Sequence, residues 1–416
     1  MAAMEATIRS PENKPGEDPA RLHYLDWLRV IAILMVFLYH AVHPFDFFDW
    51  QIKNRDQSET LTIILVWLNL WGMQFFFMIA GTASWFALRH RSGRQYLSER
   101  VNRLLIPFIV GTILFSPFQY YLSWMNRIQR GVFSGSFWDF LRGELPPFDP
   151  LRLSAPGFSP RWIGAGFHLW FIGFLFCFAL ITLPLFQWLK SGKGKPFVSK
   201  LAGICDRRGG ILIFILPLLV IQFCLRSLNL QEHDWQDFIY LLAFFTLGYI
   251  LFTDERITRA VRRDGWLLLG IGTTIVLGMV GAYALGLPLL DWGQDPSLPQ
   301  YYLLLGLTTP IALCYSVGLL FIGMRFLDFT NSWLRYGQEA ALPFFVLHQP
   351  VIIAIAFFVV QWNAGIGIKL PVVVLSSFLA ALGLYELIVR RIRPLRLLFG
   401  MKVKGPEKQK QEGELA

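Results

Sequence analysis

Long apolar segments recur along the whole chain, and they constrain its fold more than any other feature. Each is near or above the roughly 20 residues that an α-helix needs to cross about 30 Å of hydrocarbon. Because lipid cannot satisfy exposed backbone polar groups, such segments span membranes as helices. The sequence therefore predicts an all-α polytopic membrane protein, a bundle of ten transmembrane helices. The predicted spans lie at about residues 25–44, 61–88, 103–124, 167–189, 210–227, 236–253, 266–288, 302–325, 340–361 and 370–390.

Composition agrees with a membrane protein and argues against other classes. Hydrophobic residues make up 55% of the chain and charged residues 16%, whereas soluble domains carry about 45–50% and about 25%. A single water-soluble globule is therefore disfavoured, and disordered, collagen-like and disulfide-rich secreted chains are excluded. The four cysteines lie in or beside apolar segments without metal-ligand spacing, which predicts small core residues and no disulfide framework. They are Cys177, Cys205, Cys224 and Cys314.

The basic residues indicate how the chain crosses the membrane. The formal net charge is +10, and cytoplasmic loops of membrane proteins carry an excess of Lys and Arg. With the N-terminus inside, most of the 38 basic residues fall on the inner side of the predicted spans. Both termini are therefore predicted to be cytoplasmic. Nucleic-acid binding is not predicted, because the basic residues are dispersed over loops and a tail and form no folded basic domain.

The spans and their flanks predict three regions. These are a cytoplasmic N-terminal tail (1–24), a ten-helix membrane domain (25–396) and a basic cytoplasmic C-terminal tail (397–416). The first apolar segment lacks a small-residue cleavage site and is interpreted as a retained helix, not a signal peptide. One long outer loop, 125–166, is rich in Pro and Gly, and loops of this length are often functional.

The first span carries ionisable side chains, which are costly within a membrane and are therefore candidates for function. Arg29 and His40 are eleven positions apart. At about 100° per residue this is close to three whole turns, so both lie on one helix face, about 16 Å apart along the axis. The alternative is that Arg29 snorkels or pairs with Asp26, while His40 makes a hydrogen bond in the core.

A second basic pair precedes the third span. Arg100 and Arg103 have the i, i+3 spacing of one helix face and lie shortly before Pro107. Guanidinium groups match the geometry of phosphate oxygens, so this pair is a candidate for holding a phosphate-rich ligand at the cytoplasmic surface. The alternative is simple anchoring by positive charge at the inner membrane surface.

Two further histidines lie in predicted spans, each beside residues that are unusual in lipid. His168 and Trp170 open the fourth span, and His348 and Gln349 precede Pro350 in the middle of the ninth. Polar groups at a break in a membrane helix often line a cavity. The alternative is that these histidines only take part in helix packing.

Six short motifs follow one another along the predicted helices. They are Arg29-x10-His40, Phe75-Phe-Phe-Met-Ile-Ala-Gly81, Arg100-x-x-Arg103 before Pro107, His168-Leu-Trp170-Phe, Leu347-His348-Gln-Pro350 and the closing segment from Tyr385-Glu386 to Phe399-Gly400. Their order and spacing over residues 25–400 resemble the acyltransferase 3 family of integral membrane acyltransferases. The closing segment is most similar to the branch that contains the glucan biosynthesis protein C group, which is associated with succinylation of periplasmic glucans.

The resemblance implies an enzyme of the bacterial inner membrane. Such an enzyme takes an acyl group, acetyl or succinyl, from cytoplasmic acyl-CoA and transfers it to a hydroxyl of a glycan or similar acceptor, without a metal. By motif position the resemblance implies catalytic roles for His40 and Arg29 and an acyl-CoA site at Arg100 and Arg103. The remaining candidates, for substrate binding, are His168, Trp170, His348 and Gln349.

The chemistry of His40 leaves two routes open. A neutral imidazole acts as a general base on the acceptor hydroxyl, or as a nucleophile that forms a transient acyl-histidine. An alternative function from another class is a multi-pass transporter or exporter that uses the same polar groups as a substrate path. Transporters often contain internal repeats, and none is apparent here. The sequence makes no prediction of oligomeric state.

Overall fold

The computed structural model describes residues 22–128, 166–225, 234–293 and 295–401. Over these residues the chain consists of helices and connecting turns, without a β-strand. Within the same residues, eight helical segments are long and apolar enough to cross a membrane. The predicted class, an all-α multi-pass membrane protein, is confirmed.

The α-helices of the described residues are numbered here in chain order. Single π-helical turns, Val101–Leu105 and Tyr385–Val389, interrupt this series before α5 and after α14. The helices are α1 (His23–Val42), α2 (Glu59–Asn69), α3 (Gly72–Arg89), α4 (Gly93–Arg100), α5 (Ile106–Ile128), α6 (Trp170–Lys190), α7 (Lys195–Cys205), α8 (Ile215–Leu225), α9 (Trp235–Ile250), α10 (Glu255–Ala284), α11 (Leu289–Trp292), α12 (Pro299–Phe326), α13 (Ser332–Val359), α14 (Ile366–Leu384) and α15 (Arg393–Leu398).

Two of the ten predicted spans correspond to shorter helices. The segment predicted at 210–227 is the helical segment Gly210–Leu225, and the segment predicted at 236–253 is the 16-residue α9. A helix of 16 residues rises about 24 Å, which is less than the roughly 30 Å of a typical hydrocarbon core. The eight longer segments match the other eight predicted spans.

The span predicted at 61–88 is not one continuous helix, which corrects the sequence-based interpretation. α2 ends at Asn69 and α3 begins at Gly72, with a turn at Leu70 and Trp71 between them. Trp71 has φ −144°, outside the helical region. Its buried ring stacks on Tyr315 of α12 at a centroid distance of 5.7 Å. The aromatic contact explains the break, because it holds the Trp71 side chain against a neighbouring helix.

α3 and α9 cross at unusually close range through two glycines. A Cβ atom added to Gly81 would lie 1.8 Å from the carbonyl oxygen of Phe245, and one added to Gly248 would lie 1.9 Å from that of Met78. The hydroxyl of Thr82 donates to the carbonyl oxygen of Gly248 at 3.0 Å. Small residues allow such close packing of membrane helices, where interhelical hydrogen bonds add stability.

α13 lies at the centre of the bundle. It packs against α1, α5 and α14. Of its most apolar 18-residue stretch, 72% is buried inside the protein, whereas the corresponding share for α10 is 11%. The ends of α13 and α14 near α15 form an ion-pair network, in which Arg390 contacts Glu386 at 3.0 Å and Glu339 at 3.5 Å. A central α13 can therefore present side chains to several helices at once.

Some predicted features lie wholly or partly outside the described residues. These are the N-terminal tail 1–24, of which residues 1–21 fall outside, most of the outer loop 125–166, and the C-terminal tail 397–416 beyond residue 401. All four cysteines are described and none forms a disulfide. Cys205 and Cys314 are buried, whereas Cys224 is exposed. The prediction of core cysteines is therefore wrong for Cys224, which lies on the side of α8 that faces away from the rest of the protein.

Candidate active site

Three histidines from distant parts of the sequence meet inside the bundle. His40 lies in the last turns of α1, His168 lies just before α6, and His348 lies in the middle of α13. The His40 Nδ1 and His348 Nε2 atoms are 3.2 Å apart. The ring centroids of His168 lie 4.7 Å from His348 and 6.2 Å from His40. His168 and His348 are buried, and His40 is half-buried.

The turn before Pro350 holds two of these imidazoles. Proline has no N–H for the carbonyl group four residues earlier, here that of Val346, and its ring crowds that turn of the helix. In this turn the carbonyl oxygen of Phe345 accepts two side-chain hydrogen bonds, from His348 Nδ1 at 2.6 Å and from His168 Nε2 at 2.9 Å. One backbone carbonyl group of α13 therefore orients both histidines.

The hydrogen bonds determine which nitrogen of each neutral ring carries the proton. A carbonyl oxygen can only accept, so His348 is protonated on Nδ1 and His40, which donates to the carbonyl oxygen of Val36 at 2.9 Å, is also protonated on Nδ1. The Nδ1–H of His40 then also points to the lone pair on His348 Nε2. The lone pair of His40 consequently lies on Nε2, which forms no hydrogen bond with any described residue. This is the arrangement of a base whose orientation is set by a second group.

The segment that carries His168 has an uncommon backbone. Phe167 has φ +52°, in the left-handed region that bulky residues rarely adopt. Its ring packs on Tyr120 of α5 at a centroid distance of 4.5 Å. Such conformations persist when the surrounding structure holds them, and they cluster at functional sites. The strained residue directly precedes His168 and so sets where its ring enters the bundle.

The other two predicted substrate-binding residues differ in their surroundings. Gln349 is 2% exposed, and its Oε1 atom has no hydrogen-bond partner among the described residues. Trp170 begins α6 and packs in an aromatic cluster with Phe77 and Phe174, at centroid distances of 6.1 and 5.1 Å. The adjacent Phe171 ring lies 5.6 Å from that of Phe345. Trp170 therefore takes part in aromatic packing between α3 and α6, whereas Gln349 directly follows His348 in α13.

Arg29 lies at the opposite end of α1. Because α1 is continuous from His23 to Val42, Arg29 and His40 share a face but lie about 16 Å apart along the axis. Arg29 pairs with Asp26 at 3.1 Å, and its side chain is 42% exposed. This pairing is the alternative that the sequence left open for Arg29.

The predicted phosphate-binding pair lies at a change of helix type. Arg100 is the last residue of α4, and Arg103 lies in the π-helical turn Val101–Leu105. The Arg100 guanidinium lies 4.8 Å from the ring centroid of Tyr96, and it donates to the Ser84 hydroxyl at 3.4 Å. Arg103 is exposed. Since the i, i+3 interpretation assumes a regular α-helix, the π-helical turn alters the angle between the two side chains.

A buried charged cluster beside the histidines was missed in the sequence. Asp46 is fully buried and contacts two cationic or potentially cationic groups, Lys53 Nζ at 2.7 Å and His43 Nδ1 at 2.6 Å. Lys53 also donates to the carbonyl oxygen of His43 at 2.7 Å. Trp50 stacks on His43 at a centroid distance of 5.5 Å. His43 is 6% exposed. The close sequence spacing of these four residues was the available signal.

Replacing Asp46 with asparagine is expected to lower the free energy of unfolding by about 3 kcal/mol, because removing one partner leaves buried charge uncompensated. SDS-induced unfolding of the purified protein in mixed micelles measures the change. A matched control is Glu255→Gln, which removes the exposed ion pair between Glu255 and Arg259. That variant should unfold like the unaltered protein. Equal stability of the Asp46 variant would show that the cluster is solvated.

Over the described residues, the chain presents no group of three or more His, Cys, Asp or Glu side chains that could hold a metal ion. The three central histidines illustrate the reason. His348 uses Nδ1 in a hydrogen bond to a carbonyl group and turns Nε2 to the Nδ1–H of His40. The nitrogen lone pairs therefore do not converge on one point.

Comparison with known proteins identifies the family. Residues 22–386 match the family model described as an acyltransferase domain. Proteins named glucans biosynthesis protein C, from Salmonella agona (strain SL483) and Salmonella paratyphi A (strain ATCC 9150 / SARB42), are 20% identical over 399 residues, covering 92% of this chain and 95% of theirs. No solved structure matches the chain. The chain thus belongs to the acyltransferase 3 family and is an integral membrane O-acyltransferase.

Proposed function

We propose that this enzyme transfers an acyl group from acyl-CoA to a hydroxyl group of a glycan, with His40 as the general base. The observation that carries the proposal is the hydrogen bonding of His40. Its Nδ1–H is engaged by Val36 and His348, so its Nε2 presents a lone pair to a bound hydroxyl group. General bases must lie within hydrogen-bond reach of the proton that they remove.

The proposed reaction balances without a further reactant. The acceptor oxygen attacks the thioester carbonyl carbon while its proton passes to His40 Nε2. The C–S bond then breaks, and the thiolate leaves with the proton from His40, so the products are an ester and free coenzyme A. In the second route, Nε2 itself attacks and forms a transient acyl-histidine. Stoichiometric release of thiol in the absence of acceptor distinguishes this route from the first.

The donor is proposed to approach from the basic end of the bundle. Arg100 and Arg103 lie at that end, and guanidinium groups suit the phosphates of coenzyme A. Arg29, at the same end of α1 and on the same face as His40, would lie along the path of the acyl arm. This path agrees with the proposed topology, in which ten spans, including Gly210–Leu225 and α9, place both termini in the cytoplasm. The excess of basic residues on that side supports it.

The proposed acceptor is a glucan, and the proposed location is a bacterial inner membrane. Support comes from relatives that are named for glucan biosynthesis and that align with the chain over nearly their whole length. The acyl group carried by the donor is proposed to be acetyl or succinyl. A glucan offers many equivalent hydroxyl groups, so one general base could modify several positions of the same chain.

The deciding experiment measures transfer directly. Membranes containing the protein are incubated with labelled acetyl-CoA or succinyl-CoA and an unsubstituted glucan purified from a strain that lacks the gene. Ester-linked label on the glucan is the expected result. In parallel, mass spectrometry of periplasmic and envelope glycans, with and without the gene, should show a mass gain of one acyl type. Identical glycan spectra together with no transfer would refute the proposed acceptor class.

Replacing His348 with alanine is expected to lower kcat about 10²-fold, because small misplacements of a reacting group cost about that much. The acceptor KM should change little. His348→Gln offers an amide oxygen near the position of Nε2 and should recover most of the activity. Steady-state kinetics of both variants check the prediction. Equal losses for the two variants would mean that His348 has only a packing role.

A further inference from the structure

A line of polar side chains follows one face of α5, and the reaction as described above does not use it. Successive members are three or four residues apart, which places them on one side of the helix. The opposite side carries Leu114 and Phe118, which are exposed. The polar face consists of Thr112, Ser116, Gln119, Ser123 and Asn126, and four of these side chains, from Ser116 onward, are buried.

The first part of this polar face lies against the segment that carries His168. A Cβ atom added to Gly111 would lie 2.6 Å from Leu169 and 3.3 Å from Val346, the neighbours in sequence of His168 and Phe345. One added to Gly166 would lie 2.7 Å from the hydroxyl of Thr112. The first polar residue of the face therefore adjoins the segment that carries His168.

The other end of the polar face meets the charged cluster of His43, Asp46 and Lys53. Asn126 Oδ1 accepts the backbone N–H of Lys53 at 3.0 Å. From Thr112 to Asn126 the helix rises about 21 Å. Gln119 lies midway, seven residues from each, so the face runs continuously from the His168 segment to the charged cluster.

Gln119, in the middle of the polar face, has a buried amide group without a hydrogen bond to any described residue. Gln119 is fully buried, and neither its Oε1 nor its Nε2 atom has a partner among the described residues. The same holds for the hydroxyl of Thr112 and for His168 Nδ1, which is also buried. Buried polar groups in native proteins are almost always paired, so each exception calls for an explanation. Two of these exceptions, Thr112 and His168, adjoin each other near the proposed base, since Thr112 contacts Gly166 and the His168 ring lies 6.2 Å from that of His40.

We infer that the polar face of α5 is the acceptor subsite, and that it binds the hydroxyl groups of a carbohydrate chain. The Gln119 amide can donate and accept simultaneously, and Thr112 and His168 Nδ1 add an acceptor each, which matches the mixed donor and acceptor character of sugar hydroxyls. A linear row of such groups suits an extended chain more than a single small alcohol. This inference rests on the proposed function for the identity of the acceptor.

Binding without the donor tests the subsite separately from the reaction. The probe is a six-unit glucose oligosaccharide, added to the detergent-purified full-length protein, with affinity measured by calorimetry. Gln119→Leu is expected to weaken binding about tenfold, because it removes about two hydrogen bonds of ordinary strength. Gln119→Asn, which keeps a shorter amide, should bind better than Gln119→Leu. Thr112→Val should weaken binding less.

Matched controls separate this effect from a general loss of folding. Gln222 on α8 is also a buried glutamine, and Ser316 on α12 also has a buried hydroxyl without a partner among the described residues. α8 packs on α9 and α12. Gln222→Leu and Ser316→Ala should bind the oligosaccharide like the unaltered protein. Melting temperatures of all variants are recorded beside the affinities.

The outcomes distinguish the subsite from the proposed function. Oligosaccharide binding that depends on Gln119, without any acyl transfer, would support the subsite and contradict the proposed reaction. Acyl transfer to glucan with an unchanged acceptor KM in Gln119→Leu would overturn the subsite and leave the reaction standing. Absence of oligosaccharide binding by the unaltered protein would also overturn it.

Discussion

Replacing His40 with asparagine is expected to reduce acyl transfer by about 10²–10⁴-fold, the range for loss of a positioned general base. The asparagine amide nitrogen can take the place of Nδ1 and still donate to the carbonyl oxygen of Val36, as the imidazole does. It offers no basic nitrogen at the position of Nε2. The geometry of α1 should therefore persist while the proton acceptor is lost.

The measurement is transfer of labelled acyl group to glucan by membranes that contain equal amounts of protein. His90 serves as the matched control, since it is exposed at the end of α3. His90→Asn should retain full activity. If His40→Asn transfers acyl groups at the ordinary rate, the base must be another residue, and the three-histidine arrangement would need a different role.

Replacing Gly81 with alanine is expected to destabilise the protein by about 3 kcal/mol, at the upper end of the usual cost of overpacking. The added Cβ would lie 1.8 Å from a backbone oxygen of α9. A backbone atom cannot rotate away as a flexible side chain can, so the two helices must separate. Separation would also stretch the hydrogen bond from Thr82 to Gly248.

SDS-induced unfolding in mixed micelles, together with the amount of protein in the membrane, measures this effect. Gly278 on α10 provides the control, because an added Cβ there would meet no atom within 4 Å. Gly278→Ala should be neutral or stabilising by up to about 1 kcal/mol, since alanine favours the helix. Equal stability of Gly81→Ala and Gly278→Ala would contradict the close helix crossing.

The cost of Gly81→Ala follows from the way membrane helices associate. Lipid tails are as apolar as leucine, so burial of apolar surface gives little drive for association within the bilayer. Close van der Waals contact and interhelical hydrogen bonds take its place. α3 and α9 have both, through paired glycines and Thr82. Their crossing supports Phe77, which packs on α6 beside the His168 segment.

The hydrogen bonds among His40, His168 and His348 orient the three imidazole rings relative to one another. The Phe345 carbonyl oxygen of α13 accepts hydrogen bonds from both His348 and His168. The Nδ1–H of His40 then donates to the lone pair on His348 Nε2. A hydrogen-bonded series of this kind fixes the tautomer of each ring, and in a low-dielectric interior such networks are stronger than in water. The proposed base is therefore positioned before the acceptor arrives.

The all-helical fold class and most of the membrane spans could be predicted from the sequence, because they depend on local composition. Long apolar segments must be helical in lipid, whatever their neighbours are. The break at Trp71 could not be predicted, because it depends on a contact with Tyr315, more than 200 residues away. Likewise the π-helical turn at Arg103 alters a pair of side chains that regular spacing had placed on one face.

The sequence alone determined the membrane class, the family and the candidate histidines, since each of these depends on apolar length or on short motifs. Only the tertiary structure decided that His40 contacts His348, that Arg29 pairs with Asp26, and that the polar face of α5 borders the site. The physical reason is that hydrogen bonds and close packing join residues far apart in the chain. Hydropathy describes one helix at a time, whereas a site arises where several helices meet.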